Sequence, residues 1–181
     1  MKEHLLSCCL LLTSVLSHAA DFTLSSQDIH EGATLSLQQV YQGLGCHGGN
    51  ISPQLSWKGA PAGSKSFAIT VYDPDARSGN GWWHWTVFNL PAKTDSLPTG
   101  AGSRPGLLPP SAIQGRTDFG SNGFGGACPP VGDKPHHYQF TVWALKTDTL
   151  PLDANASAAL LGFMLNANAL AHARLTALYG R

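Results

Sequence analysis

Apolar residues along this chain come in short bursts separated by glycine and proline, and the spacing inside each burst predicts an element. Phe22, Leu24, Leu35, Leu37 and Val40 alternate with polar positions, which predicts short strands across 22–40. Residues 43–53 are a turn-rich loop. Leu55 to Trp57 starts another strand, closed by the Pro61-Ala62-Gly63 turn. Three stronger strands follow, over 66–72, 83–90 and 137–145, each dense in β-branched and aromatic side chains. Pro74 and Pro91 stop the first two, because proline cannot donate to a strand ladder. Residues 95–130 read as one long irregular stretch, and a loop of that length in a compact domain is generally functional.

The period then changes. From Ala154 to about Asn168, the residues Leu160, Leu161, Met164 and Leu165 recur at helical spacing, which predicts an amphipathic helix capped by Ser157 or Asn155. Ala173, Leu175, Ala177 and Tyr179 alternate afterwards with Arg174 and Thr176. That pattern predicts a closing strand, with continuation of the helix through 173 as the competing assignment. The whole reads as a mainly β fold, and no internal repeat or linker divides it. We therefore expect a single domain over 20–181.

The first residues read differently. Lys2 precedes an apolar run from Leu5 to Leu16, and Ser17-His18-Ala19 places small residues at the positions a signal peptidase requires. We expect residues 1–19 to be a cleaved signal peptide and the protein to be periplasmic or secreted. The run is about 12 residues, against the roughly 20 that a membrane-spanning helix needs, so no transmembrane segment is expected. Cys8 and Cys9 leave with the signal, and the mature chain keeps Cys46 and Cys128. In an oxidising compartment these two form a disulfide closing a loop of about 80 residues, worth roughly 4–5 kcal/mol on the chain-entropy account. Two free buried thiols are the alternative.

Only 12% of the residues are charged, with 11 basic and 11 acidic, and no basic run or stripe occurs. This excludes the electrostatic footprint of a nucleic-acid-binding protein and a polybasic membrane patch. Against so neutral a background, two knots of polar chemistry stand out: Asp73-Pro74-Asp75 with Trp82-Trp83-His84-Trp85, and Cys128-Pro129-Pro130 with His136-His137-Tyr138. In the first, Pro74 breaks the ladder, so one aspartate can face a pocket while the other accepts local backbone amides in an Asx turn. A plain turn with solvated acids reads the same residues equally well. Strand alternation puts Trp83 and Trp85 on one face and Trp82 with His84 on the other, where His84 is either a core histidine or a pocket group. In the second knot the prolines make a stiff wall, and His136 shares a face with Tyr138 while His137 points away.

If Asp73, His84, His136 and Tyr138 converge, they supply two imidazoles, a phenol and a carboxylate. That set suits a phosphate or carboxylate group held by N–H and O–H donors. A two-histidine, one-carboxylate metal site ranks below it, because the histidines sit on separate strands without local ligand spacing. The reading needs no cofactor. Gly43-Leu44-Gly45-Cys46-His47-Gly48 fits G-x-G-x-x-G, but the helix that a dinucleotide site requires cannot follow through Gly49, Asn50 and Pro53. No G-x-S-x-G nucleophile elbow occurs.

Several ordered motifs together resemble the phosphatidylethanolamine-binding protein family, also called Raf kinase inhibitor-like proteins, and within it the exported bacterial YbhB/YbcL-type branch. They are Gly48-Gly49-Asn50-Ile51-Ser52-Pro53 with Leu55-Ser56-Trp57, Ser66-Phe67-Ala68 running into Asp73-Pro74-Asp75-Ala76, Trp83-His84-Trp85, Gly125-Gly126-Ala127-Cys128-Pro129-Pro130, and Asp133-Lys134-Pro135-His136-His137-Tyr138. The resemblance implies a large antiparallel-rich sheet, a smaller second sheet and a helix near the C-terminus. It implies a pocket for small anions or phospholipid head groups at Asp73, Trp82, His84, Pro130, His136 and Tyr138, with Asp75 as the second acid. A protein partner such as a kinase or protease is also implied. Two departures stand out: His137 replaces the family's usual arginine, and Arg77 follows Ala76 where the family often has proline. The expectation is a non-catalytic binding protein in which Asp73 orients His84, and His84, His136 and Tyr138 donate to an anion. The alternatives are a hydrolase using the same groups and a pure protein-interaction inhibitor.

Overall fold

The structure, a computed structural model, describes residues 21–181. The expected signal peptide, with Cys8 and Cys9, lies outside the described residues. Ten strands and one α-helix follow in the order β1 (Thr23–Ser25), β2 (Gln42–Gly43), β3 (Cys46–His47), β4 (Leu55–Lys58), β5 (Ser66–Asp73), β6 (Trp82–Pro91), β7 (Ser96–Leu97), β8 (Ile113–Gln114), β9 (His136–Leu145), α1 (Ala158–Asn168) and β10 (Ala169–Tyr179). A five-stranded sheet runs β10-β9-β5-β6-β8, a three-stranded sheet runs β1-β4-β7, and β2-β3 form a hairpin. Every ladder is antiparallel.

The strong central strands lack clean alternation because both faces of the large sheet are covered. One face carries Phe67, Ile69, Val71, Val87 and Phe140 against Leu55, Trp57 and Leu97 of the small sheet. The other carries Ala68, Phe88 and Leu145 against Leu161 and Leu165 of α1. All of β5 except Tyr72 is therefore buried.

Three expectations are corrected. Residues 22–40 hold only the short strand β1 and a single 3-10 turn at Leu37–Gln39. Ile29 and Leu35 are buried there as loop plugs, held by side-chain bonds such as Asp28 Oδ2 accepting the Gln54 N–H at 2.7 Å. Of the alternating residues beyond β1, Leu35 and Val40 are buried and Leu37 is exposed, and the backbone pairs there only through isolated bridges of Thr34 with Leu178 and Val40 with Ala127. The helix starts at Ala158, four residues later than the pattern suggests. Ser157 Oγ caps it, whereas the Asn155 N–H turns back to Asp153 Oδ1 at 2.7 Å. The helix is also less amphipathic than its pattern. Leu161 and Leu165 are buried, but Leu160 is exposed. At the C-terminus the strand assignment holds over the helical one. β10 begins directly at Ala169 and pairs with β9 along nearly its whole length, so long-range pairing outweighs the local helical preference of an alanine-rich segment. Among the described residues, no helix is long and apolar enough to cross a membrane.

Candidate functional site

The site begins with an irregularity in the large sheet. Val71 pairs with Trp85, but the next residue of β5, Tyr72, pairs with Trp83. His84 is the extra residue of a β-bulge, the device that re-aims a side chain beside a functional site. Alternation had set Trp83 and Trp85 on one face. The bulge separates them: Trp85 is in the core between the sheets, while Trp83 packs on Tyr72 with ring centroids 4.6 Å apart. His84 is turned toward Tyr138 of β9, at 5.1 Å between centroids.

Asp73, Trp82, His84, Pro130, His136 and Tyr138 then line one cavity of about 330 Å³, together with Leu44, Arg77, Phe119 and Cys128. Asp75 is not on its wall. Its Oδ2 accepts the His137 backbone N–H at 2.7 Å and contacts the His137 ring Nδ1 at 2.8 Å, behind the site. Burial pushes the Asp75 carboxyl up, but the bonds and charge from His137 outweigh it and leave the group below its ordinary value. His137 thus still supplies a ring nitrogen behind the turn where the family has arginine. Asp73 performs both roles that the sequence divided between two aspartates. Its Oδ1 accepts the Asp75 N–H at 2.8 Å, the Asx turn, and its Oδ2 lies 2.7 Å from His136 Nδ1.

The expected Asp73–His84 pairing is therefore corrected: Asp73 orients His136. His84 is held from another direction. Its Nδ1 faces the carbonyls of Gly125 at 2.8 Å and Gly126 at 3.1 Å, so Nδ1 carries the proton and donates. In the neutral ring Nε2 is then an acceptor. Burial lowers the His84 pKa from its ordinary value, and the Gly125 carbonyl and Asp73 charge offset this only in part. The segment that carries these carbonyls is fixed by Asn50, whose side chain donates to Phe124 O at 3.2 Å and accepts the Gly126 N–H at 2.7 Å. Asn50 sits in the left-handed region at φ 53. Gly126 has no room for a side chain, since a Cβ there would lie 2.4 Å from Gln39 O. The Gly48-Gly49-Asn50 and Gly125-Gly126 motifs thus act together as the mount for His84.

Two donors in the cavity wall lack partners. Tyr138 OH and Trp82 Nε1 are buried without a hydrogen bond. Burial, then the Asp73 charge, holds the Tyr138 phenol far above its ordinary pKa, and the nearby Cys128 amide opposes this only weakly, outside hydrogen-bond geometry. The phenol therefore keeps its proton. Phe119 completes the wall, edge-on to Trp82 and His84 at 5.4 Å each and stacked on Tyr41 at 4.4 Å. Cys46 and Cys128 form the expected disulfide, with Cα atoms 5.9 Å apart. Among the described residues, no cluster of three His, Cys, Asp or Glu side chains is placed to hold a metal ion.

Sequence reasoning missed three site residues. Leu44 and Phe119 carry no chemical signature, and Phe119 lay inside the long irregular stretch. Asp133 stood in the third motif without a role. Its Oδ2 is 3.4 Å from His136 Nε2, and its Oδ1 accepts from Arg77.

Comparison with known proteins agrees with this fold. A family model described as phosphatidylethanolamine-binding protein matches residues 25–180. The YbcL protein of Escherichia coli K12 is 56% identical over 180 residues, covering 99% of this chain and 98% of its own. YbhB of the same organism is 48% identical over 156 residues, covering 86% and 98%. The crystal structure of E. coli YbcL superposes with a TM-score of 0.88 at 59% identity, covering 90% of this chain and 99% of that one. A phosphatidylethanolamine-binding protein homologue from Chlamydia trachomatis superposes at 0.74 with 29% identity, covering 88% and 97%. On this shared sequence and fold, the chain belongs to the phosphatidylethanolamine-binding protein family, in the branch of YbcL and YbhB.

Proposed function

We propose that this protein is a non-catalytic binding protein, periplasmic or secreted, whose cavity holds a small anion of phosphate or carboxylate head-group type and which regulates a protein partner. The observation that carries the reading is the Tyr138 hydroxyl: buried, protonated and without an acceptor in the wall of the cavity. A buried donor left unpaired costs about 1–3 kcal/mol, which an anionic oxygen would recover. The Trp82 indole N–H, also in the cavity wall, repeats the situation. The volume of about 330 Å³ lies at the small end for ligand sites, so it suits a head group and not a whole lipid. Export rests on the segment 1–19.

An anion beside His84 favours the protonated ring, which can then donate from both nitrogens. Binding takes up a proton in this way and weakens as pH rises. Calorimetry with inorganic phosphate and phosphoethanolamine tests the assignment. Wild type binds and His136→Ala loses at least tenfold in affinity; equal binding by the two removes the cavity as the site. One observation favours a second reading as a hydrolase. The Asp73–His136 pair, at 2.7 Å, has the form of a base held by an acid. The nucleophile it would serve is not evident, because the Cys128 sulfur is in the disulfide and the Ser78 hydroxyl donates to Gly81 O. Turnover of a chromogenic ester or phosphate, abolished in His136→Ala, would decide for that reading.

A further inference from the structure

Arg77 is the only lysine or arginine among the described residues that line the cavity. Its side chain is 76% exposed, yet it is held. One guanidinium N–H donates to Oδ1 of Asp133, whose own side chain is 8% exposed. The other Asp133 oxygen lies 3.4 Å from Nε2 of His136, and Nδ1 of that ring lies 2.7 Å from Asp73. A continuous line of charge therefore runs from the solvent-facing guanidinium, through a buried carboxylate and an imidazole, to the carboxylate inside the cavity.

The sign of this line matters. His136 stands between two carboxylates, so an anion approaching it meets two negative charges. Arg77, on the wall of the same cavity, offsets one of them. A singly charged guest tolerates that residue of repulsion better than a doubly charged one, because the Coulomb term scales with the guest's charge. The guanidinium has five N–H donors in a rigid plane. Its single side-chain contact, to Asp133, leaves the others available at the cavity mouth. Asp133 fixes the group before any ligand arrives, which lowers the ordering cost of using it.

We infer that Arg77 is the charge-selecting residue of this cavity: held ready by Asp133, it offsets the site's own acids and makes the cavity prefer a dianionic phosphate group over a monoanionic carboxylate. This rests on the anion reading above and deepens it. The family resembled by this sequence often has an uncharged proline at the same position.

The test is isothermal calorimetry on the purified protein with two probes, inorganic phosphate and acetate, at a pH where phosphate is chiefly dianionic. Wild type favours phosphate. Arg77→Gln keeps a side-chain donor without charge, on an exposed turn. It should lower phosphate affinity roughly five- to tenfold, a modest factor because water screens an exposed guanidinium, and acetate affinity by only about two- to threefold. The phosphate affinity of wild type should fall with added sodium chloride, and Arg77→Gln should flatten that dependence, which a merely structural role would not do. Arg77→Lys keeps the charge and should retain most of the preference. An unchanged phosphate-to-acetate ratio in Arg77→Gln, or Arg77→Lys behaving like Arg77→Gln, overturns the inference while leaving the anion site standing. Failure of wild type to bind either probe overturns both.

Discussion

At the scale of single residues, Tyr138 and His84 give opposed signatures that separate binding from folding. Tyr138→Phe removes a hydroxyl that has no partner in the ligand-free protein. Removing an unsatisfied buried donor without changing the ring should leave stability unchanged or raise it by about 1 kcal/mol, while anion affinity falls roughly tenfold. Urea unfolding and calorimetry on the same variant check the two halves. If stability drops instead, the hydroxyl has a structural partner and the anion assignment weakens. His84 adds a pH dependence with a definite sign. Its folded pKa lies below its ordinary value because burial disfavours the imidazolium. The unfolded chain therefore binds more protons in the window between the two values, and stability rises with pH across it. Stability is full above about pH 6.5 and declines on acidification toward the folded pKa. Saturating phosphate should reduce that decline, because it favours the protonated ring in the folded state. Melting temperatures measured from pH 5 to 8, with and without phosphate, report it. A His84→Gln variant should show a flatter acid limb.

At the scale of elements, the mount for His84 is a loop-to-loop device. Asn50 holds the glycine segment through two hydrogen bonds, to the Phe124 carbonyl and from the Gly126 N–H, from a left-handed backbone position that asparagine tolerates better than alanine. Asn50→Ala should cost about 2–3 kcal/mol in denaturant unfolding and weaken anion binding although residue 50 is outside the cavity wall. Loss of stability with unchanged affinity would mean that the glycine loop does not position His84. Which of these elements the sequence could reveal follows from where their information lies. The three long strands announced themselves through β-branched and aromatic density, and the terminal strand through alternation. The helix was legible in kind but not in its start, because Ser157 and Asn155 are equally good caps on paper and only Asp153 decides between them. Asp73, His84, His136 and Tyr138 were found because titratable groups are conspicuous on a chain so poor in charge. Their partners were not legible. A bulge consumes one residue of β6 without altering composition, so nothing local says that Trp83 and Trp85 part company or that Asp73 reaches His136 in preference to His84. Phe119 enters the wall by a tertiary path through an irregular segment, and periodicity has no purchase there.

At the scale of the whole molecule, the cavity wall draws on two loops distant in sequence, which two further fasteners join beside the Asn50 bonds. The Cys46–Cys128 disulfide joins residues 82 apart, and Cys128 lies on the cavity wall. Arg181 joins the same two loops without a covalent bond: its Nε donates to Pro129 O at 2.6 Å and its Nη1 to Gly45 O at 2.8 Å. These fasteners differ in what they contribute. A cross-link over such a span acts mostly on the unfolded chain, so replacing both cysteines by serine should cost up to about 4.5 kcal/mol on the chain-entropy account. Arg181 is exposed, and Arg181→Ala alone should cost about 1 kcal/mol or less. Their effects on ligand binding should nevertheless couple. With the disulfide intact, losing Arg181 leaves the wall in place and phosphate affinity nearly unchanged. With the cysteines replaced, Arg181 alone ties Gly45 to Pro129 beside the cavity, and its loss should lower affinity by several-fold more than the single changes combined. Contacting or shared-network residues ordinarily show coupling of about 0.5–3 kcal/mol. A double-mutant cycle read by calorimetry with phosphate measures this term directly. Additivity within about 0.5 kcal/mol would mean that the two fasteners act independently, and that the Pro129-Pro130 wall is rigid without either.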